Sequence, residues 1–137
     1  MHTYSVALRI SGADLDVAGV SAKLKLKPTQ TRIIGQPRSA NSVWLESMWE
    51  YEVRPGEDKV VWDSLEDALQ KVISIFVSRE SELRKYQERY KVFLWCGHFS
   101  SSFDGGPTSS PIVLQALAKF GVELILDTYF SGEPEND

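Results

Sequence analysis

The run Lys91-Val-Phe-Leu-Trp-Cys-Gly-His-Phe99 is the most apolar stretch of the chain, and its reading decides the fold. It holds the only cysteine, one of the two histidines and one of the four tryptophans. Read as a strand, it sends alternate side chains to opposite faces. Val92, Leu94, Cys96 and His98 then share one face, and Phe93 and Trp95 the other. A nucleophilic Cys96 would need a base in contact and an electropositive setting. Side chains two positions apart on a strand lie roughly 6–7 Å from each other, too far for His98 to serve. Cys96 therefore reads as a small buried hydrophobe on the helix-packed face. The run reads as scaffold, with His98 at its polar end and Phe93 and Trp95 presented on the other side.

Outward from this strand, the flanking segments alternate between strand and helix patterns. Tyr4, Val6, Leu8 and Ile10 alternate with Ser5, Ala7 and Arg9, as in a strand buried on one side. Asp14 is the expected N-cap of a first helix carrying Val17, Val20 and Leu24, which must end before Pro28. Residues 27–41 form a polar connection, with Ile33 and Ile34 as a brief extended piece. From Val43 to Val53 alternation returns, with Val43, Leu45, Trp49, Tyr51 and Val53 facing the core. Trp44, Glu46, Met48, Glu50 and Glu52 face the other way. Arg54-Pro-Gly-Glu-Asp58 is a turn. Asp63 and Glu66 resemble a capping box opening a helix with an apolar stripe of Leu65, Leu69, Val72, Ile73 and Phe76. Ser78 interrupts it, and Arg79 to Arg89 forms a short solvated helix with Leu83 and Tyr86 as its apolar side.

After the Lys91 strand comes a Ser- and Gly-rich loop to Pro107. Ser110 caps a last helix with Pro111 at its first position, Ile112, Leu114, Leu117 and Phe120 as packing residues, and Gly121 as its stop. Val122 to Tyr129 is the final strand. Residues 1–130 are expected to form a single α+β domain, followed by an acidic disordered tail over 131–137.

Tyr4-Ser-Val-Ala-Leu8 and Tyr90-Lys-Val-Phe-Leu94 share a Y-x-V-x-L pattern, each followed by a polar break and a helix. Two β-α-β units around a helical insertion suggest a ferredoxin-like plan: a four-stranded, mainly antiparallel sheet with helices on one face. A doubly wound parallel sheet is the alternative, but the half-polar first strands fit poorly with a sheet covered on both sides.

With these motifs placed, the chain resembles a bacterial family known as a domain of unknown function, number four-two-seven-nine. Gly12-Ala-Asp-Leu-Asp16, Leu24-Lys-Leu-Lys-Pro-Thr29, Gly35 and Leu124-Ile-Leu-Asp-Thr-Tyr129 carry the resemblance. Val17 stands where a proline opening the helix is usual, and Ala18-Gly19 replaces an acidic pair. The resemblance implies a small α+β protein and supplies no catalytic residues.

Composition narrows the function classes. A hydrophobic fraction of 42% and a charged fraction of 25% are ordinary for a globular domain of 137 residues. The net charge of -4 argues against broad contact with a phosphate backbone, so no nucleic-acid partner is expected. One cysteine cannot form an internal disulfide, the first residues lack a basic stretch followed by an apolar core, and no apolar run approaches the ~20 residues of a membrane span. A cytoplasmic protein without a membrane partner is the expectation. No HxH, HExxH or CxxC spacing occurs, so neither a metal nor a cofactor is expected. Asp104-Gly-Gly106 lacks the Lys-Ser/Thr ending of a P-loop.

Two binding surfaces stand out. If helices cover one sheet face, the other carries Trp44, Met48, Phe93, Trp95 and Ile125 among acidic neighbours, the pattern of an interaction patch. Stacking of single-stranded RNA there is opposed by those acids. The competing expectation is that the helix over residues 63–77 folds across this face and buries it. The leading expectation is a non-enzymatic domain that uses the patch to pair with itself or another protein, with an immunity-protein role as a subtype. The alternative is a small-molecule-binding domain or weak enzyme with a polar site near His98 and the 27–41 loop, built from Arg32, Arg38, His98 and Asp104. Two arginines and several hydroxyls on the Thr29–Arg38 loop could hold an anion, but a solvated connection whose hydroxyls bond the local backbone is the favoured reading.

Overall fold

The computed structural model describes residues 1–131. Its strands are β1 (His2–Gly12), β2 (Gln30–Arg32), β3 (Pro37–Ser39), β4 (Ser42–Val43), β5 (Ser47–Val53), β6 (Lys91–Ser100) and β7 (Glu123–Phe130). Its helices are α1 (Val17–Leu24), α2 (Leu65–Phe76), α3 (Glu80–Gln87) and α4 (Pro111–Ala118), with a 3₁₀ turn at Val77–Arg79 joining α2 to α3. The expected tail lies outside the described residues except for Ser131.

The chain is α+β, with one mixed five-stranded sheet in the order β2-β5-β1-β6-β7 and a small β3-β4 hairpin. β1 is antiparallel to both β5 and β6, whereas β6 and β7 run parallel across the α4 crossover. This departs from the four-stranded ferredoxin-like plan. There the two β-α-β units interleave, but here β1 and β5 are direct neighbours and antiparallel, so the first unit turns back on itself. The Y-x-V-x-L echo is therefore no structural repeat: Tyr4 opens onto His98 inside the sheet, while Tyr90 precedes its strand.

The register explains the core. Val6 pairs with Val53 and Cys96, Leu8 with Tyr51 and Leu94, and Ile10 with Trp49 and Val92. Against this face pack Val20 and Leu24 of α1, Leu65, Ala68, Leu69, Val72 and Phe76 of α2, Leu83 and Tyr86 of α3, and Val113, Leu117 and Phe120 near α4. The segment over 63–77 thus lies with the other helices and does not cross the second face. Trp62 prolongs the sheet beside β1, exchanging two 2.8 Å backbone hydrogen bonds with Tyr4 and donating its indole N–H to Val53 O at 2.8 Å.

Several boundaries move for local reasons. The N-cap of α1 is Asp16 rather than Asp14, its carboxylate accepting Gly19 N–H at 3.1 Å. Ser64, not Asp63, caps α2 by accepting Asp67 N–H at 3.2 Å. The strand expected over 43–53 is split, because Trp44 bonds back to Gln36 and Gly35 and leaves Leu45 84% exposed. In α4, Val113 and Leu117 face the core, while Ile112 and Leu114 are exposed. An eight-residue helix shows the sheet barely two turns, so it cannot bury all four expected positions.

Candidate functional site

The uncovered face of the sheet carries a chain of polar contacts from strand to strand. Arg9 on β1 pairs with Glu50 on β5 and Phe93 on β6, and its side chain reaches diagonally to Trp95 on β6. Its Nε–H donates to Glu50 Oε1 at 2.7 Å, and its guanidinium lies 4.6 Å from the Trp95 ring centroid. Trp95 Nε1–H donates in turn to Asp127 Oδ2 on β7 at 2.7 Å. Lys91 extends over Phe93 at 5.0 Å. These side chains shield Ala7, Met48 and Phe93, which are buried although no helix lies over them. Gly97 makes room for the arrangement, since a Cβ there would meet the Trp95 ring at 2.6 Å.

All five residues of the expected patch reach this side of the sheet, but they do not form one apolar surface. The Arg9–Glu50 pair separates Trp44 and Met48 from Phe93, Trp95 and Ile125. Met48 and Phe93 are buried, and Trp44, Trp95 and Ile125 are half-buried.

The exposed apolar surface lies beside this patch, on β7. Leu124, Leu126, Tyr129 and Phe130 are each more than two-fifths exposed, so the strand shows apolar groups on both faces. Nearby, Phe99 stacks on Tyr129 at 5.2 Å and Phe103 on Phe130 at 4.3 Å. A cleft of about 330 Å³ opens there between Met1, Thr3, Phe99, Tyr129 and Phe130. The sequence signal for β7 was its continuous Leu124-Ile-Leu126 run, apolar at successive positions where a strand with one wet face alternates.

The expected polar site does not assemble. Arg32 pairs with Met48, itself opposite Ser11, whereas His98 pairs with Tyr4 at the other end of β1. His98 also faces the helices, opposite to the side Arg32 occupies. What His98 meets is His2, which the sequence offers only as one suggestive metal partner beside Asp104 and Asp127 and which is not among the residues of the expected polar site. His2 Nε2–H donates to the Asp104 carbonyl oxygen at 2.5 Å, so in the neutral pair its Nδ1 must accept. His98 Nε2–H then donates to His2 Nδ1 at 2.8 Å, and His98 Nδ1 accepts from the Thr128 hydroxyl at 3.3 Å. Tyr4 and His2 each stack on the His98 ring at 5.0 Å. Asp104 enters through its backbone and not its carboxylate. Burial and the neighbouring His2 lower the pKa of His98. Every ring nitrogen is engaged, which suits a clasp holding the N-terminal strand better than a proton-transfer site. Cys96 is fully buried, and burial pushes its thiol up to about 12.

Arg32 and Arg38 do meet, around Trp44. Their guanidinium carbons lie 4.2 Å and 5.1 Å from the indole centroid, beside a cleft of about 250 Å³ that Leu45, Glu46 and Met48 also line. Among the described residues no group of three or more His, Cys, Asp or Glu side chains is placed to hold a metal ion, and no helix is long and apolar enough to cross a membrane.

Helices on one side of a mixed sheet, an uncovered polar-aromatic face and an open apolar edge define an α+β domain built around one exposed sheet. The chain belongs to the family described as Domain of unknown function (DUF4279), which matches residues 2–131. No curated protein and no solved structure matches it.

Proposed function

We propose that this is a non-enzymatic interaction domain that pairs with a second copy of itself along β7. One observation carries the reading: β7 is an eight-residue edge strand, exposed on both faces and rich in large apolar side chains. Such an edge is a template for pairing, and natural sheets blunt theirs with short strands, lysines, prolines or covering loops. The opposite edge of this sheet is blunted in that way. There β2 has three residues, all polar, and the chain turns directly from it into the β3-β4 hairpin. β7 has neither Lys nor Pro.

The charges on β7 favour one register. A two-fold axis perpendicular to the sheet keeps its faces continuous, so each residue must oppose one on the same face. Centring the pair on Leu126 places Glu123 opposite Tyr129, Asp127 opposite Ile125, and Leu126 opposite its own copy. Centring it on Ile125 sets Glu123 against Asp127, and centring it on Asp127 sets that carboxylate against itself, which is unfavourable. The Leu126 register joins two five-stranded sheets into one of ten. Ile125 thereby becomes a contact residue, flanked by Trp95 of the same protomer. The other members of the expected patch, Trp44, Met48 and Phe93, stay outside the contact. An immunity role would be a use of such an interface by a different partner, and no residue here singles it out.

Sedimentation equilibrium of the whole chain tests the reading. Wild type is expected to be dimeric at micromolar concentration. Leu126→Lys, which sets two like charges face to face, is expected to be a folded monomer with an unchanged far-UV circular dichroism spectrum. A wild type that stays monomeric throughout that range refutes the proposal.

A further inference from the structure

The far edge of the sheet holds more positive charge than its partners neutralise. Arg9 is paired with Glu50, but among the described residues neither Arg32 nor Arg38 is paired with a carboxylate. Arg32 Nε is buried and has no acceptor among the described residues, so the hydrogen-bonding capacity of this guanidinium is not met from within the fold. Burial and the like charges of Arg9 and Arg38 lower the pKa of the Arg32 guanidinium, and Glu50 offsets this only in part. Trp44 is shared by both cations. A guanidinium stacked by its face on an indole keeps its N–H edge free, and that edge matches a planar or tetrahedral oxyanion bidentately. The adjoining cleft of about 250 Å³ is small for a drug-sized molecule and suits a compact anionic group. Glu46 also lines it but is exposed, so its charge is screened by solvent.

We infer that Arg32, Arg38 and Trp44 form a binding site for a small oxyanion, a phosphate or a carboxylate group. The anion bridges the N–H groups that the two guanidinium groups turn toward the cleft, with Trp44 holding both in place. The site lies at the opposite edge of the sheet from β7, so it stands or falls independently of self-association.

Isothermal titration of the full chain with inorganic phosphate in one arm and succinate in the other tests it, with Trp fluorescence recorded alongside. Saturable binding of at least one of them by wild type is expected, and the arm with the tighter binding identifies the oxyanion class. Arg38→Gln, an exposed change that leaves the fold intact, is expected to weaken that binding about tenfold or more. Trp44→Phe is expected to weaken it less and to remove the fluorescence response. Absence of saturable binding in both arms at millimolar concentration overturns the inference. So does equal binding by wild type and Arg38→Gln, which would mark a non-specific ion effect.

Discussion

The His2–His98 pair shows how a single contact can carry pH sensitivity. In the neutral relay each N–H has an acceptor, from Thr128 through both rings to the Asp104 carbonyl. One added proton can be accommodated on His98 Nδ1, whose N–H then donates to the Thr128 oxygen as that hydroxyl turns away. A second proton sets N–H against N–H across 2.8 Å. The folded pKa of His98 lies below its ordinary value of 6.5. Above that value both folded and unfolded chains hold it neutral, and it has no effect on stability. As pH falls below 6.5 the unfolded chain takes up the proton first, so stability declines until the depressed folded pKa is passed. Thermal melting of wild type is expected to fall across that window, and His98→Gln is expected to melt with a shallower dependence. Parallel melting profiles for the two proteins would show that His98 is not the titrating group.

The boundaries of the elements depend on which side chain reaches an orphan N–H. Asp63 and Ser64 are both good cap residues, and the sequence pattern favoured Asp63 because Glu66 follows at the capping-box distance. Backbone geometry selects Ser64, whose Oγ lies 3.2 Å from Asp67 N. Asp63 instead pairs with Lys59 at 2.7 Å on an exposed surface, and such pairs contribute little. Ser64→Ala is therefore expected to cost about 1 kcal/mol in urea unfolding. Asp63→Ala is expected to cost no more than a few tenths, about the value of an exposed i,i+4 pair. A larger loss at Asp63 would return the cap to that residue. The same competition shortened the strand before Trp49. Trp44 had the alternation of that strand, but Gln36 and Gly35 claimed its backbone groups, and Leu45 was carried out to solvent.

At the scale of the molecule, pairing order sets where the sheet is most stable. β1 and β6 each have a neighbour on both sides and a packed helix layer, whereas β2 and β7 are edges. Amide hydrogen exchange is expected to be slowest in β1 and β6. In β7 the exchange of outward-facing amides is expected to slow as protein concentration rises, since self-pairing gives them acceptors. Concentration-independent exchange in β7 would separate the edge from any dimer.

The core was legible in the alternation of Tyr4 to Ile10 and of Val92 to Cys96, and in the helical stripe from Leu65 to Phe76, because burial of a repeating apolar face needs only local periodicity. Cys96 was correctly read as core for the same reason. The division of the functional surface was not legible. Arg9 crossing to Glu50 and Trp95, His2 meeting His98, and Arg32 and Arg38 sharing Trp44 are contacts between segments remote in the chain. Periodicity assigns each residue a face but says nothing about which strand lies beside it. The sequence by itself determined the α+β class, the helix-covered core and the presence of aromatic residues on the other face. Only the tertiary structure decided that β1 and β5 are antiparallel neighbours and that the exposed apolar surface falls on β7. Strand order is set by long-range packing and loop closure, and these leave no local signature in the sequence.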